Sequence, residues 1–541
     1  MMAIKPALKR IFGELPLTAE FYWYLRQAGL PVNQTFSLQH LEGGLEQWRA
    51  QSMKASHQNP NGKRVMIFAT LHYWIEHAAL MGLALAGLGH EVTLTYLPYG
   101  KWQKPISKFD LRRQNLYANK VLNSAAPVIN SISLLNIKDV PNELPARLEP
   151  VIKELSLRDT QYTLQVEDVD FDNDLYRLRL ERNLYAAKAA VSLIEEIRPD
   201  VSIIPNGSIL EFGAVYQSVR YLDETKFPLP VVTYEFGEQR ERIWLSLNAE
   251  VMKQQTDEMW RARKNKQLTD LQMEQLRGLV AARQGASLWE NFARRWQGVP
   301  SIGGEEVRQS LGLDDRPIVL LATNVIGDSL TLGRQVFSNS MTEWLERTVS
   351  YFADHPEAQL VVRIHPGELI TQGPSVADVV QRVLPDLPEN IHLVPADANV
   401  NTYDIVDIAD IGLVYTTTVG LELAMSGVPV IVIGQTHYRE KGFTLDPESW
   451  ESYFRLLGEV LQKPEIVQLT KEQVDCAWEY AYRFFFDYPH PYPWHLVHLW
   501  EDVETWSLEN VFDEAGMARF GDTLSHLVGE PVNWSQLNRY E

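Results

Sequence analysis

"DIADIGLVYTTTVGLELAMSGVPVIVIG", residues 407–434, reads as the end of a helix, an apolar strand, three threonines, Val-Gly, a helix, Gly-Val-Pro and a second apolar strand. Two strands joined through one helix pair in parallel, with a right-handed crossover. That sets the fold class as an open α/β sheet, in which ligands bind beyond the carboxyl ends of the strands. Thr416, Thr417 and Thr418 stand at such an end, and Gly420 opens the helix that follows. A helix start offers unpaired N–H groups and partial positive charge, which suit a phosphate. Hydroxyls there add donors, and a glycine lets a ligand approach the backbone. A helix cap alone needs one threonine, so three in a row favour a ligand. Glu422, one turn further on, suits ribose hydroxyls rather than phosphate, though a first-turn carboxylate also suits the helix dipole.

The same alternation extends in both directions. "PIVLLATN" (317–324), "AQLVVRIHPGE" (358–368) and "IHLVPA" (391–396) are further strands, and "VIGDSLTLGRQ" (325–335) is a glycine-containing loop after the first of them. Gly327 in that loop, Arg363 on its strand and His365 before a strand-ending proline join the candidate anion site. Nearer the start, "VMIFAT" (65–70), "EVTLTYLPYG" (91–100), "VSIIP" (201–205) and "LPVVTYEFG" (229–237) alternate with apolar helices and make a second sheet. The expected organisation has four parts: a helical extension over 1–60, an α/β domain with helical insertions over 61–300, an α/β domain over 301–470, and a helical segment over 471–541. Residues 246–300 read as helical and rich in Glu, Arg, Lys and Trp.

Bulk properties narrow the function. A chain of 541 residues is too long for one core. A net charge of −20 argues against nucleic acid as the main partner and gives no polybasic membrane anchor. The single cysteine, Cys476, excludes an internal disulfide and a cysteine-based zinc site, and reads as a buried thiol. The start "MMAIKPALKRIFGELPLTAEFYWYL" lacks an apolar signal core, and no run is long enough to span a bilayer. A cytoplasmic protein is expected, and the sequons at Asn33, Asn206 and Asn533 carry little weight. No dinucleotide fingerprint, phosphate-loop lysine motif, metal-ligand spacing or nucleophile elbow is found. His490, His495 and His498 lie among prolines and aromatics and read as packing.

"VRIHPGE" followed by "NTYDIVDIADIGLVYTTTVGLELAMSGVPVIVIGQTHYREKGFT" resembles the capsule polysaccharide biosynthesis family of glycosyltransferases, which are similar to bacterial Kdo and sialic acid transferases. The shared pattern is His365-Pro366, Thr416 to Thr418, Val419-Gly420, Glu422, Gly427, Pro429, Gly434 and Tyr438, over about residues 358–445. The resemblance implies a GT-B fold: two doubly wound Rossmann-type domains facing a cleft, with a C-terminal helical segment crossing back. It implies a nucleotide-sugar donor on the second domain, with His365 and the threonines near its phosphate, and a glycan or glycolipid acceptor on the first. No resident cofactor or metal is expected. CMP-, UDP- and GDP-linked donors all stay open, as does association with a polysaccharide assembly complex.

Glycosyl transfer with inversion needs a base for the acceptor hydroxyl. The strand ends of the first domain offer His72, Glu76, Asn206, Glu235 and Glu238, with His72 leading and Glu235 second. The departure from the family is that the first domain shows no counterpart of its catalytic acid. Two alternatives therefore stand beside transfer: a catalytically silent nucleotide-sugar-binding partner, and an enzyme resembling the UDP-sugar 2-epimerases.

Overall fold

The computed structural model describes residues 4–56, 62–287, 298–462 and 468–536, with side chains from residue 8 onward. The chain divides into two compact units. Unit 1 comprises Met1–Thr160, Asp170–Met252 and Pro489–Val532, and unit 2 comprises Gln161–Val169, Lys253–Tyr488 and Asn533–Glu541.

Among the described residues, the sheet of unit 1 has seven strands: β1 (Arg64–Thr70), β2 (Glu91–Leu97), β3 (Ile129–Ser133), β4 (Val201–Pro205), β5 (Val231–Glu235), β6 (Arg242–Leu247) and β12 (His490–Pro491). Their order is β12-β6-β5-β4-β1-β2-β3, with β1 to β5 parallel and the last two antiparallel. The five-stranded sheet of unit 2 is wholly parallel, in the order β11-β10-β7-β8-β9. Its strands are β7 (Ile318–Ala322), β8 (Gln359–Arg363), β9 (Ile391–Val394), β10 (Ile411–Val414) and β11 (Val430–Val432). Parallel strands covered on both faces must be apolar throughout, and "IVLLA" and "IGLV" are buried at every residue. Each sheet reverses its winding once, between β1 and β4 in unit 1 and between β7 and β10 in unit 2. Those reversals are where open α/β sheets bind ligands.

Helices that position the sites are α1 (Gln39–Ser56), α2 (His72–Gly87) and α3 (Leu210–Thr225) in unit 1. In unit 2 they are α4 (Asp270–Gln284), α5 (Met341–Ala353), α6 (Val419–Met425) and α7 (Lys471–Tyr482). The hydrophobic run of α2 is buried all round from Trp74 to Gly87, because α2 packs between the sheet and α1.

The units divide the chain differently from the four expected segments. The first crossing after β6 falls at Met252, not near residue 300. Lys253–Gln284 belongs with unit 2 because α4 reaches Glu422 there through Arg283. The helical expectation for 246–300 includes residues 288–297, which lie outside the described residues, and its first two residues end β6 instead. The C-terminal part does not act as one segment: α7 belongs to unit 2, and Pro489–Val532 returns to unit 1, where β12 extends the sheet. β3, β6 and β12 were not visible as strands in the sequence. Cys476 is partly rather than fully buried.

Candidate functional site

In unit 2, the strand ends at the winding reversal are tied to each other. The carboxamide oxygen of Asn324, just past β7, accepts the backbone N–H of Thr416, just past β10, at 3.2 Å. The Thr416 hydroxyl donates to Leu330 O at 2.8 Å. The loop after β11 closes over the same turn: the hydroxyl of Thr436 donates to Thr416 O and that of Tyr438 to Thr417 O. Thr416 is therefore committed to holding the turn. Thr417 and Thr418 differ. Neither hydroxyl makes a hydrogen bond among the described residues, and Thr418 sits at the cap position of α6 without capping it.

Other residues of the expected site have internal occupations. Gly420 is glycine because Tyr438 needs the space, since a Cβ there would lie 2.3 Å from the Tyr438 hydroxyl oxygen. Gly327 has φ +70, and a Cβ would lie 2.5 Å from Val166 N and 2.7 Å from Gln165 C. The space expected for a phosphate is filled by the chain's own segment Gln161–Val169. That segment also carries Glu167, whose carboxylate accepts the first N–H groups of α5, Met341 at 2.8 Å and Thr342 at 3.0 Å. Arg363 is 2% exposed. Its guanidinium donates to Thr402 Oγ1, Pro395 O and Val400 O, so it braces the ends of β8 and β9 from within. Burial lowers its pKa to about 10, which leaves it charged at neutral pH. Glu422 accepts Arg283 Nε at 2.6 Å and the Tyr403 hydroxyl at 2.9 Å, both at Oε1, while Oε2 is buried without a hydrogen-bond partner. One carboxylate oxygen thus serves packing and the other is unclaimed. Burial and the adjacent Glu422 carboxylate raise the pKa of Tyr403, so it stays a donor.

His365 is exposed at the end of β8. Its Nδ1 accepts Gly367 N–H at 2.9 Å, which puts the proton of the neutral ring on Nε2. Pro366 begins a 3-10 turn there, as the His-Pro pair requires.

In unit 1, the reversal lies between the ends of β1 and β4, and both connections are strained. Leu71, between β1 and α2, has φ +65, and Asn206, after β4, has φ +58. Side chains other than glycine seldom occupy this region, and such strain concentrates at functional sites. Asn206 is held by its neighbours: its carboxamide donates to Glu235 Oε2 at 2.9 Å and accepts the Ser208 hydroxyl at 2.6 Å. The other oxygen of Glu235 accepts Phe236 N–H at 3.0 Å. Both oxygens of Glu235 therefore fix the turn, and burial raises its pKa.

His72 and Glu76 occupy one face of α2, four residues apart. Both line a cavity of about 780 Å³ with Ser37, His40, Tyr73 and Trp500. His72 Nδ1 has no hydrogen-bond partner among the described residues, and burial lowers its pKa, which favours the uncharged ring. Burial pushes the Glu76 carboxyl up to about 8, although the Leu41 N–H and the Trp500 side chain offset part of the rise. The neutral-range group is thus Glu76, which sequence spacing alone ranked behind His72 and Glu235. No group of three metal-ligating side chains that could hold an ion occurs among the described residues. Nor is any helix among them long and apolar enough to cross a membrane.

No protein-family model matches the chain, and no curated protein does. Among solved structures, it is similar to a β-Kdo 2,7-transferase, KpsC of Thermosulfurimonas dismutans, with 15% identity and a TM-score of 0.33, covering 59% of this chain and 89% of that one. A UDP-GlcNAc 2-epimerase of Neisseria meningitidis bound to UDP-GlcNAc gives 12% identity and a TM-score of 0.25, covering 79% and 99%. A family 9 glycosyl transferase of Veillonella parvula gives 12% and 0.21, covering 78% and 97%.

Proposed function

We propose that the chain is a glycosyltransferase that takes a sugar from a nucleotide-activated donor and passes it to a surface or capsular glycan or glycolipid. The observation that carries this reading is the β10–α6 turn. It lies at the winding reversal of a parallel sheet, it is locked by Asn324 and Tyr438, and it leaves the Thr417 and Thr418 hydroxyls unengaged. Transfer from such a donor releases a nucleotide phosphate, and its developing charge is stabilised best by donors already held in place. His365 stands at the neighbouring end of β8.

The test is the shift in melting temperature of the full chain with CMP, UDP and GDP, in wild type and in Thr417→Val/Thr418→Val. One nucleotide should stabilise the wild type, and the double variant should lose that shift while its own melting temperature stays within a degree or two, since valine has the same shape and the hydroxyls bond to nothing among the described residues. If no nucleotide stabilises the wild type, or the variant responds equally, the reading fails.

One observation favours a second reading, a nucleotide-sugar-binding partner without turnover: Arg363, the expected phosphate contact, is consumed inside the protein. Incubating the donor that binds with a panel of acceptor glycans separates the two, because only a transferase forms a lengthened product.

A further inference from the structure

The cavity of unit 1 has a composition that identifies what it can hold. Its volume of about 780 Å³ is large for a site to be filled by water alone. Three buried polar atoms on its lining, Ser37 Oγ, His72 Nδ1 and Glu76 Oε1, make no hydrogen bond. Buried polar groups are almost always paired, so three such atoms lining one cavity are unusual. Glu76 itself is 4% exposed. Tyr73 and Trp500 supply aromatic surface to the same cavity. Neither lysine nor arginine lines it, while Glu76 and Glu501 do. Glu501 is already paired with Arg240 at 2.9 Å, so an anionic ligand such as a phosphate or a sugar acid would find no lysine or arginine of the lining to pair with. A purely apolar ligand would leave the three orphans unpaired.

We propose that this cavity binds an uncharged polyhydroxylated ligand, a neutral sugar or short neutral oligosaccharide, and that Glu76 is its buried hydrogen-bond anchor. Sugar hydroxyls both donate and accept, which suits an imidazole acceptor, a serine hydroxyl and a carboxyl together. The C–H faces of a pyranose suit aromatic walls. The site lies within unit 1 and does not depend on the donor reading: it stands even if no nucleotide binds.

Only one oxygen of the Glu76 carboxyl is unpaired, since the Leu41 N–H and the Trp500 side chain also interact with the group. The experiment is saturation-transfer NMR on the full chain with glucose, galactose, lactose and maltotriose, against glucuronate and N-acetylneuraminate. It is run on wild type, Glu76→Leu and Gln34→Trp, with melting temperatures for each. Gln34 is exposed on the rim, so a tryptophan there should block the cavity without disturbing the fold. At least one neutral sugar should bind, the acidic sugars should not, and both variants should weaken binding about tenfold or more. The melting temperatures show that each variant is folded. The inference is overturned if no neutral sugar binds, if the acidic sugars bind as well, or if either folded variant binds normally.

Discussion

Glu76 offers a test of the cavity that needs no ligand. Its carboxyl is drawn from an ordinary 4.5 up to about 8 chiefly by burial. The folded protein then holds the proton more tightly than the unfolded chain does. Between those two values the folded state binds more protons, so stability is fully present below about pH 4.5 and falls as pH rises through about 8. The rise spans roughly three to four decades of proton affinity at about 1.4 kcal/mol each, an upper bound of about 5 kcal/mol. Local adjustment around the new charge will return part of it. Glu76→Gln keeps the shape and cannot ionise. The measurement is the urea unfolding free energy of wild type and Glu76→Gln at five values from pH 5 to pH 9. The variant should gain on the wild type by about 2 kcal/mol or more across that range, with the gain levelling above pH 8. His40, His72, His498 and Glu501 also line the cavity, but they are present in both proteins, so their contributions cancel except where they couple to Glu76. A difference constant to within about 0.5 kcal/mol would show that the carboxyl is not held out of water.

Three expectations concern unit 2. Gly327→Ala forces a side chain into a positive-φ position and against the backbone of Val166, which should cost about 2 kcal/mol or more. Because Glu167 is then displaced, the Met341 and Thr342 amides should exchange hydrogen faster, and unchanged exchange would refute the account. Arg283→Ala leaves the buried Glu422 with only the Tyr403 hydroxyl and should cost about 3–5 kcal/mol in urea unfolding, whereas Arg283→Leu with Glu422→Leu should cost much less. Additive effects of the two single changes would mean that the pair is not coupled. Thr417→Val/Thr418→Val should abolish nucleotide stabilisation while sparing the fold, as the unengaged hydroxyls require.

The parallel strands were legible in the sequence because burial on both faces leaves an unbroken apolar run: "VMIFAT" and "VSIIP" fall within a residue of β1 and β4. β6, "RIWLSL", was not, because an antiparallel strand near the edge carries polar residues on one side. The turn at Thr416–Thr418 was found where the sequence placed it, at the end of β10. What each residue does there was not legible. Gly327 and Gly420 carry the signature of close approach, but a sequence does not say whether a ligand or the chain itself approaches. Here the neighbours are Gln165–Val166 and Tyr438. Arg363 and Glu422 likewise show charge without showing their partners, since Val400, Thr402 and Arg283 lie 37 to 139 positions away. Spacing alone places Glu76 behind His72, because spacing does not report burial, and burial is what moves the pKa of Glu76.

The nine residues Gln161–Val169 join unit 2 while both their flanks belong to unit 1, and Pro489–Val532 returns to unit 1 after unit 2 is nearly complete. On the ribosome, unit 1 is therefore begun before unit 2 and finished after it: its sheet waits for β12 until every strand of unit 2 has emerged. A fragment cut at any one peptide bond leaves one unit without a piece, so a library of truncations should yield few soluble products. Evolution faces the same constraint. Neither unit is a cassette that recombination could lift out in a single exchange, and the two should be inherited together.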